Sequence, residues 1–108
     1  MPIVSNADRP FADMMPGVRR RTLLWGETML VAEILLEEGG VVPLHDHVYE
    51  QVGYCIEGTF DLTIGEGVHS IKPGDCWCIP SGVPHEATAT SRCFLIEAWS
   101  PARDDYKD

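Results

Sequence analysis

The sequence has no long apolar run and few basic side chains. No apolar run in the 108 residues approaches the roughly 20 residues that a helix needs to cross a bilayer. The first residues also lack the basic start and apolar run of a secretory signal. Only 8 lysines and arginines stand against 17 aspartates and glutamates, so the net charge is −9. Nucleic acids require a basic surface. We therefore expect a cytoplasmic protein without a membrane or nucleic-acid partner, and a small molecule or another protein is left as its partner.

Cysteine pairs at the usual metal-site spacing are also lacking. The four cysteines are Cys55, Cys76, Cys78 and Cys93, and no two of them form a C-x2-C pair. All four fall in predicted strands, where a free cysteine commonly serves as a small apolar residue, so we expect them to be buried. Cys76 and Cys78 share one strand face, which leaves a role near a metal open.

Helical periodicity of useful length is absent, which favours strands throughout. Phe60, Leu62 and Ile64 alternate with polar residues and predict an inward-facing strand, which a Gly-Glu-Gly turn joins to a hairpin partner. Residues 86–90 and 93–99 are expected to form a final hairpin. Short strands separated by glycine and proline turns indicate an all-β barrel or sandwich.

The domain organisation that we expect is simple. Residues 1–17 contain three prolines and predict an arm that lies across the barrel or on a neighbouring molecule. Residues 18–108 form the barrel domain, whose first strand runs over residues 18–25. Arg19, Arg20 and Arg21 lie in that strand, and they either cover a solvated surface or present one guanidinium to an anionic substrate.

The segment from residue 39 to residue 58 carries the most chemistry. His45, His47 and Gln51 have the same strand parity and are predicted to point into one cavity, whereas Glu50 should face away. Two imidazoles and an amide oxygen suit a divalent transition metal such as nickel, zinc, manganese, iron or cobalt. A His-x-His pair on a strand also occurs without any metal.

A second segment strengthens the metal interpretation. Residues 74–85 predict a turn, a short strand and a second turn that aims His85 back at the first segment. Together the segments resemble the two motifs of the cupins, G-x5-H-x-H-x3-E-x6-G and G-x5-P-x-G-x2-H. The matching residues are Gly39, His45, His47, Gln51, Gly58, Gly74, Pro80, Gly82 and His85. Gln51 stands where glutamate is usual.

The resemblance implies a fold and a ligand set. Cupins are small antiparallel β-barrels of the jelly-roll, RmlC-like type, also called double-stranded β-helices, so the resemblance places His45, His47, Gln51 and His85 around one metal. A neutral glutamine leaves the cation its full charge, which favours an anionic ligand and disfavours oxidation of the metal. The neutral ligand set thus favours Lewis-acid chemistry over oxygen activation.

The C-terminal part is similar to the pectin-degradation cupins of the KdgF type. That resemblance implies ring opening and ketonisation of 4,5-unsaturated uronates from pectin or alginate, and it assigns catalytic roles to Glu97, Trp99 and Arg103. Aspartate and phenylalanine are more usual at the first two positions. From spacing alone, a core tryptophan beside a surface pair of glutamate and arginine explains the same residues.

Three functions therefore compete at this point. The first is the uronate enzyme; the second is a cupin dioxygenase acting on an aromatic or dicarbonyl substrate; the third is a cupin that senses a sugar or metal without turnover. We also expect a homodimer in which the arm or an edge strand pairs across the interface, because a small open sandwich leaves unpaired edges.

Overall fold

The computed structural model describes residues 3–108, so Met1 and Pro2 of the expected arm lie outside the described residues. Ten strands account for most of the described chain, and 3-10 turns occur at Asn6–Asp8 and Asp104–Tyr106. The strands are β1 (Ala12–Met15), β2 (Val18–Trp25), β3 (Leu30–Leu36), β4 (Val41–His45), β5 (Glu50–Glu57), β6 (Phe60–Ile64), β7 (Gly67–Ile71), β8 (Cys76–Ile79), β9 (His85–Ala89) and β10 (Cys93–Ser100). Among the described residues, no helix is long and apolar enough to cross a membrane.

The strands form two antiparallel sheets that pack face to face. The six-stranded sheet has the order β1-β2-β3-β10-β5-β8, and the four-stranded sheet has the order β4-β9-β6-β7. Strands far apart in sequence are neighbours, since β10 lies between β3 and β5. This is the jelly-roll arrangement, and the predicted all-β fold is confirmed.

The predicted hairpins have different outcomes. β6 and β7 pair from Phe60↔Ile71 to Ile64↔Gly67, as the alternation of apolar residues indicated. The expected hairpin of residues 86–90 with 93–99 is wrong, because β9 pairs with β4 and β6 whereas β10 pairs with β3 and β5. The short turn after β9 therefore carries the chain from one sheet to the other.

The core lies between the sheets and is built from alternate residues of each strand. Along β10 every second residue from Cys93 to Trp99 is buried, and the intervening residues face outwards. Fully burying one large apolar side chain contributes roughly 1.5–3 kcal/mol. The buried apolar residues are Val18, Leu30, Ala32, Ile34, Leu36, Cys55, Phe60, Leu62, Ile71, Trp77, Ile79, Ala89, Cys93, Leu95 and Trp99.

The N-terminal residues contact the six-stranded sheet and in part belong to it. β1 pairs with β2 and forms an edge of that sheet, so part of the proline-containing segment is regular. The side-chain amide of Asn6 donates to Glu33 at 3.4 Å, and Arg9 Nε donates to the carbonyl of Leu23 at 3.0 Å. These contacts tie the segment to its own barrel.

The expectation that all four cysteines are buried is half wrong. Cys55 and Cys93 are buried between the sheets, whereas Cys76 and Cys78 are exposed on the outer face of β8. We call Cys76 and Cys78 the outer-face thiols. Burial raises the pKa of the Cys55 thiol and raises the pKa of Cys93 to about 11, so the buried pair remains protonated at neutral pH.

Candidate functional site

Three histidine rings meet near the end of β4 and the start of β9. His45 ends β4 and His85 begins β9, and the two residues are paired across these strands. His47 lies in the connection between β4 and β5. The ring centroid of His85 lies 4.1 Å from that of His45 and 4.8 Å from that of His47. One nitrogen of each ring lies within 4.8 Å of the others, which is close enough for the three to share one metal ion.

Backbone carbonyls fix the orientation of each ring. In every case Nδ1 is hydrogen-bonded to a carbonyl oxygen two residues away along the chain, at 2.8 Å for His45 and 2.9 Å for His47 and His85. A carbonyl can only accept, so Nδ1 carries a proton, and in the neutral imidazole Nε2 then keeps its lone pair. Outer-shell bonds of this kind orient histidines that bind metals.

Gln51 completes the donor set. Its side-chain nitrogen donates to the carboxylate of Glu97, so its Oε1 faces Nε2 of His47, 2.9 Å away. The contact is a hydrogen bond when Nε2 carries a proton, and the same separation suits two ligands of one cation when it does not. Nε2 of His85 is buried and has no hydrogen-bond partner among residues 3–108. The donor set of three imidazoles and one amide oxygen therefore fits a divalent transition metal.

The expectation that His45, His47 and Gln51 lie on one strand is wrong, although these residues do converge. β4 ends at His45, and the chain crosses from the four-stranded to the six-stranded sheet before β5 begins at Glu50. Strand parity therefore does not apply across residues 46–49. Glu50 is exposed and faces away, as predicted.

Glu97 is a buried carboxyl group directly beside these donors. Gln51 Nε2 and Trp77 Nε1 both donate to its Oε2, the indole at 3.0 Å. Burial raises the pKa of Glu97 above its usual range, and the two hydrogen bonds and the charge of Arg103 oppose that rise. Both of these hydrogen bonds go to Oε2, and neither goes to Oε1.

Gly53 makes the contact between Trp77 and Glu97 feasible. In the sheet, Gly53 on β5 is paired with Glu97 on one side and with Trp77 on the other. A Cβ atom at this position would lie 2.2 Å from Cε2 and 2.4 Å from Nε1 of the indole, far inside van der Waals contact. The absent side chain thus leaves the space through which Trp77 reaches the carboxylate.

Trp99 and Arg103 lie in the same cavity as Glu97. Trp99 is 3 % exposed and meets the ring of Tyr106 edge-on, with centroids 5.0 Å apart. The cavity has a volume of about 60 Å³, and its lining includes every predicted site residue except His47, which lies beside it. The alternative of a core tryptophan with a surface glutamate is half right, because Trp99 belongs to the core but Glu97 is buried.

Sequence reasoning missed several residues around this cavity. Trp77 shares parity with Ile79 in the second motif, which was a usable signal for an inward side chain. Arg20 is buried rather than solvated, contrary to the surface interpretation of the arginine cluster. Its Nη2 is paired with the carboxylate of Asp108, and its guanidinium lies 4.2 Å from the centroid of the Tyr106 ring.

Comparison with known proteins agrees with this geometry. A protein-family model described as "Cupin domain" matches residues 32–99. The chain belongs to the cupin family. The match begins in β3 and ends near the end of β10, so this cupin region contains all four candidate metal ligands together with Glu97 and Trp99.

Individual relatives cover nearly the whole cupin chain. The pectin degradation protein KdgF of Dickeya dadantii is 22% identical over 101 residues, which is 92% of each protein. The solved structure of KdgF from Halomonas sp. superposes with a TM-score of 0.89 at 26% identity and covers 94% of both chains. An RmlC-like cupin from Shewanella frigidimarina superposes with a TM-score of 0.88 at 27% identity, covering 93% of this chain and 90% of its own.

Proposed function

We propose that this cupin is a metal-dependent enzyme acting on a small anionic sugar, and most specifically that it catalyses ring opening and ketonisation of 4,5-unsaturated uronates from pectin or alginate breakdown. The observation that carries the proposal is the buried carboxyl of Glu97, hydrogen-bonded to Gln51 within a cavity that Arg103 also lines. One small ligand in this cavity could therefore contact a carboxyl group, a cluster of candidate metal ligands and a guanidinium group. The likeness to KdgF proteins supports the choice of sugar acid.

The reaction is an isomerisation, so it needs proton transfer but no co-reactant. The bond between C1 and the ring oxygen breaks as the C1 hydroxyl gives up its proton and becomes an aldehyde. The ring oxygen is left as the enol oxygen on C5, and it becomes a ketone when C4 gains a proton. One proton is taken and one is returned, and a single carboxyl group can perform both transfers.

Glu97 has the position that this proton transfer requires. Gln51 and Trp77 hold its Oε2, so the carboxyl group is fixed while Oε1 is available to the substrate. Preorganised groups of this kind avoid the cost of reorganisation during the reaction. A divalent ion would be held by His45, His47, Gln51 and His85. Its positive charge would stabilise negative charge on the substrate oxygens.

Arg103 is assigned to the carboxylate of the substrate. Its guanidinium lies 4.8 Å from the ring centroid of Tyr49 and 5.6 Å from that of Trp99, so aromatic rings hold it in position at the cavity. A planar guanidinium offers paired donors that match a carboxylate, which a lysine does not.

The test uses unsaturated monouronate produced by a lyase. Metal-loaded protein is expected to accelerate the loss of its ultraviolet absorbance, and absence of acceleration over a blank would refute the proposal. Glu97→Gln should lower turnover by roughly 10² to 10⁴ with metal retained. Arg103→Lys should mainly raise the Michaelis constant.

The same protein preparation separates the two alternatives. A dioxygenase requires a redox metal and consumes oxygen, so elemental analysis together with an oxygen electrode distinguishes it from the uronate enzyme. Tight sugar binding without turnover would instead indicate a sensor.

A further inference from the structure

The C-terminal segment, which we define as residues 102–108, lines part of the cavity. Arg103 and Tyr106 of this segment both line it. The cavity volume of about 60 Å³ holds a few water molecules, whereas small-molecule sites commonly measure roughly 300–1,000 Å³. The segment therefore contributes part of the wall that a ligand of this cavity would meet.

Arg103 is already paired with a carboxylate of the same segment. Its Nη2 donates to Oδ2 of Asp105 at 2.8 Å and its Nε donates to Oδ1 at 3.2 Å, which is a two-point contact. The arginine side chain is 11% exposed and that of Asp105 is 55% exposed. The hydrogen bonds from Arg103 hold the pKa of Asp105 below its usual range, so the carboxylate is charged at neutral pH.

We propose that Asp105 is an internal competitor for the substrate carboxylate, and that it thereby sets how strongly the site binds anions. The inference rests on the proposed function, in which Arg103 receives that carboxylate. Asp105 uses two of the donors that a planar guanidinium offers, and it neutralises the charge that would attract an incoming anion. A neutral sugar hydroxyl forms a weaker hydrogen bond to a guanidinium, so it does not compete with Asp105 for these donors.

Exchange of one carboxylate for another requires little rearrangement. Asp105 is half exposed, so its carboxylate passes readily into water when it leaves Arg103. The segment remains attached through the pair of Arg20 with Asp108, and the ring of Tyr106 lies near both guanidinium groups. Displacement of Asp105 is therefore local and leaves the rest of the segment in place.

The chain provides a matched control one residue away. Asp104 lies in the same 3-10 turn, its side chain is 94% exposed, and it pairs with Lys107 rather than with Arg103. Asp105→Asn and Asp104→Asn each remove one negative charge from the same turn. Any difference between the two variants then reports the contact with Arg103 rather than net charge.

The experiment measures binding of galacturonate and of galactose by isothermal titration calorimetry. The two sugars differ only at C6, which is a carboxylate in galacturonate and a hydroxymethyl group in galactose. We expect Asp105→Asn to bind galacturonate about fivefold more tightly than the parent, Asp104→Asn to bind it as the parent does, and galactose to be unaffected by either change. Thermal unfolding of both variants checks that they are folded.

Several outcomes would overturn the inference. One is an equal effect of both substitutions on galacturonate binding, and another is unchanged or weaker galacturonate binding in Asp105→Asn. A third is an equal gain in galactose affinity in Asp105→Asn, which would show that Asp105 acts only by closing the cavity. Absence of galacturonate binding in all three proteins would also contradict it. Turnover of unsaturated uronate by the parent is measured separately, so the proposed function is judged independently of these results.

Discussion

Replacement of Gly53 by alanine tests the contact on which the arrangement around Glu97 depends. The new methyl group would lie 2.2 Å, 2.3 Å and 2.4 Å from three atoms of the Trp77 indole, so the ring has to move. The indole would then lose its hydrogen bond to Glu97. Gly53→Ala should therefore destabilise the native protein.

The expected change in the free energy of unfolding is the sum of two costs and one gain. Overpacking in a core costs about 1–3 kcal/mol, and loss of a hydrogen bond to a charged group costs about 1.5–3 kcal/mol. Alanine in a strand otherwise gains about 0.5–1 kcal/mol over glycine. We expect the free energy of unfolding to fall by about 2–5 kcal/mol, which at a urea m-value of about 2 kcal/mol/M lowers the midpoint by about 1–2.5 M.

Urea denaturation followed by circular dichroism measures this change. Gly26→Ala is the control, since no other atom lies within 4 Å of a Cβ atom placed there. In a Trp77→Phe background the smaller ring should make Gly53→Ala less costly, and the double-mutant cycle gives the coupling energy. A Gly53→Ala protein as stable as the parent, or an equal cost in both backgrounds, would refute the reasoning.

Three further predictions concern the metal, the thiols and assembly. His85→Ala should retain its barrel by circular dichroism but bind metal more than about 100-fold more weakly, and full occupancy by elemental analysis would contradict the ligand set. In the native protein the outer-face thiols should react rapidly with a thiol reagent at pH 8. Cys55 and Cys93, which are buried and have raised pKa values, should react only after unfolding. Rapid reaction of four thiols per chain would contradict this prediction. Light scattering should give about twice the 12.0 kDa chain mass, whereas a monomer would disprove the expected homodimer.

The alternation of apolar residues was sufficient to predict the local strands. β2 has the expected bounds, and Phe60, Leu62 and Ile64 face inwards as their pattern indicated. Parity describes only a continuous strand, however. It does not apply across residues 46–49, and the hairpin expected after β9 was wrong for a related reason. At both places the chain passes from one sheet to the other, and the choice of sheet depends on distant partners.

Burial was harder to predict than strand position. Alternation shows which residues share a face but does not show which face is covered. Cys76 and Cys78 lie on a face that solvent reaches, whereas Arg20 lies on a covered face where Asp108 and Tyr106 surround its guanidinium. The carboxylate that makes burial of Arg20 tolerable is 88 residues away in sequence, so local patterns could not reveal it.

The candidate metal ligands come from both layers of the molecule. His45 and His85 belong to strands of the four-stranded sheet, and Gln51 belongs to the six-stranded sheet. An ion bound by all of these ligands would link the two sheets. At a free concentration 1,000 times its dissociation constant, such an ion would add about 4 kcal/mol to the free energy of unfolding. Because proteases degrade unfolded chains, the cellular abundance of this protein would then follow the metal supply. Metal starvation would in that case lower the amount of the protein as well as its activity.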